Sequence, residues 1–280
     1  MAAIPFVKMH GAGNDFVVID NREAGFSIDK KWAESVAHRR FGVGCDQLVV
    51  IEPSDKADVT MRIYNADGSE VEACGNASRC VAWRVMQESG KDVATLETKA
   101  GVLECQSAGD HRVTIDMGEP SWEWDQIPLS ERRNTLHLGI DSGKLMNPAA
   151  VSMGNPHMVF FVRDVDWVKL EEDGAKLESH PLFPEKANVS AAQVLDEGRI
   201  KLRVWERGSG ETLACGTAAC ATVVAAVRRE MTGREVEVEL PGGTLHIHWH
   251  GNDSDTPNHV FMTGPVAVSF NGEIDEALVA

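Results

Sequence analysis

Val59–Ala77 reads VTMRIYNADGSEVEACGNA, and Ile200–Ala218 reads IKLRVWERGSGETLACGTA. The two stretches align at an offset of 141 residues (200 − 59). Arg62 then meets Arg203, Tyr64 meets Trp205, Glu70 meets Glu211, and Ala73-Cys74-Gly75 meets Ala214-Cys215-Gly216. The same offset carries Gly13-Asn14 onto Gly154-Asn155 and Gln47 onto Asn188. One offset near half of a 280-residue chain, holding in three separate regions, marks an internal duplication. Two homologous lobes are expected, an N-terminal one over 1–119 and a C-terminal one over 120–265. The turn-prone Gly118-Glu119-Pro120-Ser121 separates them, and 266–280 returns to the first lobe.

Around this repeat, short alternating runs predict strands at Val59–Tyr64, Arg112–Met117, Met158–Val162 and Lys201–Trp205. Glu235–Leu240 and Thr244–Trp249 predict a hairpin across Pro241-Gly242-Gly243. The two helix candidates begin directly after the duplicated cysteines, at Gly75 to about Glu88 and Gly216 to about Arg229. The second opens GTAACATVVAA, small or apolar all round, which predicts a buried helix. The fold class that follows is α+β: two pseudo-symmetric lobes, each a mixed β-sheet or barrel wrapped around a central helix. The active site is expected in the cleft between them.

Composition narrows the function. Hydrophobic residues make up 43% and charged residues 25%, a globular balance that excludes disordered, collagen-like and coiled-coil chains. Against 43 Asp and Glu stand 27 Lys and Arg, a net charge of −16 that disfavours nucleic-acid partners and anionic membrane surfaces. No apolar stretch approaches the roughly 18 residues of a membrane span, and the start carries no secretory pattern. A cytoplasmic location is expected, so the six cysteines read as reduced thiols.

Four of those thiols, Cys45, Cys80, Cys105 and Cys220, read as small buried hydrophobes. Cys74 and Cys215 differ, because each stands before Gly and a polar residue at a predicted helix start. A helix N-terminus offers N–H groups and partial positive charge, which lowers a thiol's pKa and binds carboxylates. Two such thiols related by pseudo-symmetry suit inversion at a carbon. One removes a proton from one face of Cα and the other delivers a proton to the opposite face. The spacings from Cys74 to Cys80 and from Cys215 to Cys220 miss the C-x-x-C pattern, so no metal is expected. No pyridoxal phosphate site is evident, and no cofactor is expected.

The chain resembles the diaminopimelate epimerase family over essentially its full length. The resemblance rests on Met9-His10-Gly11-Ala12-Gly13-Asn14-Asp15-Phe16, Gly44-Cys45-Asp46-Gln47, Tyr64-Asn65-Ala66-Asp67-Gly68-Ser69-Glu70 and Ala73-Cys74-Gly75-Asn76. Gly154-Asn155-Pro156-His157, Asn188-Val189, Glu206-Arg207-Gly208-Ser209-Gly210-Glu211-Thr212 and Ala214-Cys215-Gly216-Thr217 continue it. The resemblance implies interconversion of LL- and meso-diaminopimelate without pyridoxal phosphate, in lysine and peptidoglycan precursor synthesis, by a homodimer. It implies Cys74 and Cys215 as acid/base thiols, and the backbone of Gly75, Asn76, Gly216 and Thr217 as the seat of the reacting carboxylate. Asn14, Gln47, Asn65, Asn155, Asn188, Glu206 and Arg207 would hold substrate, with His157 a possible assistant. At Ala77 and Ala218 the family commonly has Gly; alanine favours helix, so firmer helices and unchanged chemistry are expected.

Two other readings compete: a two-thiol racemase of proline or a basic amino acid, and a redox protein pairing Cys74 with Cys215. A pure binding module leaves the duplicated thiols unexplained. His246, His248 and His250 would share a strand face, read as solvated rather than metal-binding. Glu171-Glu172-Asp173 reads as a solvated loop or helix end.

Overall fold

The computed structural model describes residues 3–72, 74–251 and 258–279. Ala73 of the repeated motif lies outside the described residues. The chain divides into two compact units, Met1–Ile115 with Gly264–Ala280, and Asp116–Thr263.

In the first unit β1 (Ala3–Gly11) and β2 (Asn14–Asp20) form a hairpin, α1 (Lys30–Ala37) follows, and β3 (Gln47–Glu52) lies parallel to β2. β4 (Val59–Asn65) is antiparallel to β3 and to the short β5 (Glu70–Val71). α2 (Gly75–Ser89) then crosses to β6 (Val93–Thr98), parallel to β4, and β7 (Gly101–Ser107) and β8 (Arg112–Asp116) complete a meander. Parallel neighbours need such crossovers, and both here are helical.

The second unit opens with the small pair β9 (Asp141–Ser142) and β10 (Leu145–Met146). The same pattern then runs again: β11 (Ala149–Ser152), β12 (Pro156–Phe161), α3 (Leu170–Glu178), β13 (Asn188–Asp196), β14 (Arg199–Glu206), β15 (Gly210–Thr212), α4 (Gly216–Arg228), β16 (Glu235–Leu240), β17 (Gly243–Trp249) and β18 (Val260–Pro265). The chain finally returns to the first unit as β19 (Ala267–Asp275), antiparallel to β1.

The repeat extends to pairing register. Phe16 opposes Gln47 in the first unit and His157 opposes Asn188 in the second, both displaced by 141 (157 − 16). Arg62 Nε bonds Glu70 at 2.8 Å, and Arg203 Nε bonds Glu211 at 2.7 Å. The expected α+β class therefore holds: each unit is a mixed sheet carrying a buried helix. The predicted strands, hairpin and both post-cysteine helices are present within a residue or two at most ends.

The helices form for local reasons. α2 packs on β1, β2, β6 and β7, and ends at Gly90, whose φ of 69° supplies the left-handed cap that only glycine adopts without strain. α4 packs on β11, β12, β13 and β17, and Gly216 and Ala218–Ala226 are buried on every side. α1 was not legible in the sequence. It has only eight residues, capped by Asp29, whose carboxylate accepts the Trp32 N–H at 2.9 Å. Trp32, Ala33, Val36 and Ala37 are buried where α1 packs on β3 and β4. The acidic run Glu171–Asp173 is the first turn of α3, where carboxylates favour the helix dipole. Asp173 departs from the solvated reading: it is buried and accepts the Ser142 hydroxyl at 2.7 Å.

Several glycines sit where a Cβ would come too close to its surroundings. A Cβ on Gly42 would stand 2.0 Å from the Ser35 carbonyl oxygen, and one on Gly174 would stand 2.8 Å from the Trp205 ring. Gly42→Ala is expected to destabilise the protein by about 2 kcal/mol or more, since the obstacle is backbone. A denaturant midpoint measurement checks this.

Candidate active site

The first half-site starts from the β1–β2 turn. Ala12 and Gly13 have φ of 53° and 84°, so a two-residue turn with both positions left-handed delivers Asn14 to the start of β2. Gln47 heads β3, opposite Asn65 at the end of β4. All three amides thereby reach one end of the sheet. Gln47 Nε2 donates to Asn65 Oδ1 at 3.0 Å, and Asn65 Nδ2 donates to Ser69 Oγ at 3.1 Å. Gln47 Oε1 is buried with no hydrogen-bond partner among the described residues, an acceptor suited to an ammonium group.

Cys74 is the N-cap of α2, with φ −148° and ψ 110°. Its thiol lies 3.7 Å from Asn14 Oδ1 and donates to it. Asn76 Nδ2 reaches the same oxygen at 3.3 Å. Asn14, Cys74 and Asn76 thus form one cluster, with Gln47 and Asn65 as a pair beside it on the sheet.

Cys215 is the N-cap of α4, with φ −130° and ψ 112°, nearly the conformation of its counterpart. A cysteine replaces the usual Ser, Thr, Asp or Asn cap at both helices. Cys215 Sγ lies 3.6 Å from Thr217 Oγ1, and Asn155 Nδ2 donates to that hydroxyl at 3.4 Å. Glu206, at the end of β14, takes the Thr212 hydroxyl and also bonds the Cys215 thiol. Asn155, Cys215, Thr217 and Glu206 are brought together.

The electrostatics correct one expectation. A helix start was expected to lower both thiol pKa values. Burial instead pushes the Cys215 thiol well above the ordinary cysteine range, and the adjacent Glu206 carboxylate pushes it further. Cys215 therefore holds its proton at neutral pH. Burial also raises Cys45 to about 11, and Cys80 and Cys105 to about 12, so these three stay unreactive thiols as expected. Cys220 is fully buried.

His157 is fully buried, and its Nε2 stands 2.8 Å from Asn155 Oδ1. That oxygen only accepts, so the ring nitrogen is the donor and the tautomer is fixed. Burial first, and the Arg207 charge second, lower its pKa to about 3. A neutral imidazole of this kind positions Asn155 and is no proton shuttle at neutral pH. Its folded pKa lies below the ordinary 6.5, so its stabilising contribution is present above pH 6.5 and is lost as pH falls towards 3. About 2 kcal/mol is expected to disappear between pH 8 and pH 5. His157→Gln is expected to flatten that part of a stability-against-pH curve.

Asn188 and Arg207 form a separate pair. Asn188 Oδ1 accepts the Arg207 backbone N–H at 2.9 Å, and its Nδ2 donates to the Pro156 carbonyl at 3.2 Å. Both ends of this amide thus brace the backbone. The exposed Arg207 guanidinium donates to the Glu185 carbonyl at 2.9 Å. Gly75 and Gly216 open their helices, and a Cβ on Gly216 would stand 2.8 Å from Met262 Sδ.

Two residues escaped the sequence reading. Asp46 accepts Asn14 Nδ2 at 2.9 Å, and the fully buried Arg79 donates to Asn76 Oδ1 at 2.8 Å. Asp46 stands inside the quoted Gly44-Cys45-Asp46-Gln47, Arg79 lies three residues after Asn76, and an arginine among Ala77, Cys80 and Ala82 of a buried helix is a usable signal.

Sequence and structural comparisons meet this geometry. The family model described as diaminopimelate epimerase matches residues 6–123 and 149–268. Proteins named diaminopimelate epimerase from Phenylobacterium zucineum (strain HLK1) and Acidiphilium cryptum (strain JF-5) are each 50% identical. The first alignment covers 96% of this chain and 97% of its relative, and the second covers 100% and 99%. The chain belongs to the diaminopimelate epimerase family. Similar folds extend beyond the family. A phenazine biosynthesis protein of the PhzF family from Bacillus anthracis superposes with a TM-score of 0.72 at 18% identity, covering 98% of this chain and 100% of that one. A hydroxyproline epimerase from Agrobacterium vitis gives 0.70 at 14% identity, covering 97% and 92%. At such identities they share the fold alone.

Among the described residues no helix is long and apolar enough to cross a membrane. Nor does any group of three or more His, Cys, Asp or Glu among them have the arrangement of a metal site. His246 meets Glu235 at 3.2 Å, while the His248 and His250 rings pack 4.6 Å apart.

Proposed function

We propose that this chain epimerises diaminopimelate at Cα, interconverting the LL and meso forms by two-thiol chemistry that needs no pyridoxal phosphate. The observation that carries the reading is the pair of cysteines at matching N-caps of α2 and α4, each set in a polar cluster within a family member. One cysteine takes the Cα proton as thiolate and the other gives up its own as thiol. Cys215, held protonated by burial and Glu206, suits the donor in one direction. In the reverse direction the roles exchange.

The carboxylate next to Cα gains charge as the proton leaves. N–H groups of Gly75, Asn76, Gly216 and Thr217 at the helix starts would stabilise it there. Asn14, Gln47, Asn65, Asn155 and Glu206 would receive the ammonium groups and the nearer polar atoms. The Arg207 guanidinium would grip the distal carboxylate bidentately. Asn188 would act by bracing the Arg207 backbone.

The product serves lysine and peptidoglycan precursor synthesis in this reading, and the enzyme is a cytoplasmic homodimer. Distal recognition makes a sharp prediction. Lysine, which lacks the second carboxylate, leaves Arg207 unpaired, and its epimerisation is expected to be at least about 100-fold slower than that of LL-diaminopimelate. Chiral chromatography of both reactions, without added cofactor, tests the reading. Comparable rates would remove distal recognition, and no turnover of diaminopimelate would remove the assignment.

A further inference from the structure

We propose that Asp46 is a positioning residue for Cys74, acting by fixing which end of the Asn14 amide faces the thiol. The inference rests on the functional reading for its importance. It stands on geometry within the first unit.

An asparagine side chain can turn over, exchanging its oxygen for its NH2 group. Facing a cysteine, the two choices have opposite effects. An oxygen accepts the S–H proton and favours the thiol; an NH2 group donates to sulfur and favours the thiolate. Two contacts force the first choice here. Asp46 Oδ2, a carboxylate that only accepts, takes Asn14 Nδ2 at 2.9 Å, so Asn14 Oδ1 must point the other way. On that other side lie Cys74 Sγ at 3.7 Å and Asn76 Nδ2 at 3.3 Å, both donors.

Asn76 is itself oriented. The buried Arg79 guanidinium has donors only and donates to Asn76 Oδ1 at 2.8 Å, leaving the Asn76 NH2 group for Asn14. A fixed anion and a fixed cation thus sit at opposite ends of a two-amide chain, and both demand the same orientation. Asp46 is in turn held by Arg39 Nη2 at 2.6 Å and by the Asp15 backbone N–H at 3.1 Å. Lys8 and Arg39 both bond the Asp15 carboxylate behind it. Burial would raise the Asp15 pKa, but these two cations outweigh it and hold Asp15 below the usual carboxylate range.

The second unit lacks this device. Displaced by 141, the counterparts of Asp46 and Arg79 are Ala187 and Cys220. There His157 orients Asn155 instead. The two thiols are therefore set by different partners, although the helices that carry them are equivalent.

The test is a double-mutant cycle read on the thiol itself. Asp46 is 44% exposed at its side chain, so Asp46→Ala is compatible with folding, which a melting curve verifies. Alkylation of Cys74 by iodoacetamide at pH 7 is followed by peptide mass spectrometry in wild type, Asp46→Ala, Asn14→Ala and the double variant. Releasing the amide lets its NH2 group face sulfur, so Asp46→Ala is expected to speed alkylation about threefold to tenfold. In the Asn14→Ala background the same change is expected to alter the rate less than about twofold. Equal acceleration in both backgrounds would show a direct charge effect and overturn the proposal, as would no acceleration in either. Because no substrate is present, failure to epimerise diaminopimelate would be a separate result, bearing only on the proposed function.

Discussion

Alanine in place of either Cys74 or Cys215 lowers the rate of diaminopimelate epimerisation by about three orders of magnitude or more. Each thiol is assigned one proton transfer at Cα, and a positioned acid or base contributes roughly 10²–10⁴-fold. Neither loss can be made good by a neighbour. In the second half-site Glu206, which bonds the Cys215 thiol, is engaged by the Thr212 hydroxyl, and His157 stays neutral with a pKa near 3. Cys80 sits six residues along α2 from Cys74, but burial holds it near 12. The alanine variants are expected to melt close to wild type, because each removes only one sulfur atom at a helix cap. Steady-state kinetics beside melting curves separates the two effects. A fall in both rate and melting temperature would point to a structural role.

The largest stability effect is expected at Arg79. Its side chain is 0% exposed, with Asn76 and the Pro265 carbonyl among its partners. Arg79→Ala leaves a cavity in the packing of α2 and removes the guanidinium that donates to the Asn76 oxygen. A loss of about 3–5 kcal/mol is expected from those two terms together. Gly11 gives an independent check on the same spot. A Cβ there would stand 2.9 Å from Arg79 Nη2 and 3.1 Å from the Asn76 carbonyl oxygen. The guanidinium end can shift and the helix backbone cannot, so Gly11→Ala should disturb Asn76 even where the fold survives. Chemical denaturation of both variants, with Lys99→Ala as an exposed control, measures these effects. A midpoint change for Arg79→Ala no larger than the control's would refute the expectation.

What could be read beforehand followed from physical period. The duplication, the strands and the helices after Cys74 and Cys215 all leave local patterns, in alternation or in the repeat itself. α1 left no legible pattern and α3 showed only as a loop or helix end at Glu171-Glu172-Asp173, because helices of eight and nine residues depend on tertiary packing for their stability. The candidate site divides the same way. Its motif residues were visible as repeated segments, and the family resemblance supplied their roles. The Asp46–Asn14 and Asn76–Asn14 bonds join residues 32 and 62 positions apart, a pairing no local pattern encodes. The upward shift at Cys215 was hidden for a related reason. A helix start is a local feature, whereas complete burial and the approach of Glu206 belong to the folded unit.

The central claim is that two thiols share the work, one on each face of Cα. Epimerisation of LL-diaminopimelate in D2O, stopped before a tenth of it has reacted, tests this most directly. The two-thiol account predicts deuterium at Cα in essentially every meso molecule formed, while recovered LL-diaminopimelate stays almost unlabelled. The proton removed leaves on one sulfur, and the deuteron delivered comes from the other. Deuterium entering the recovered substrate as fast as the product would mean that one base serves both faces, and would contradict the account.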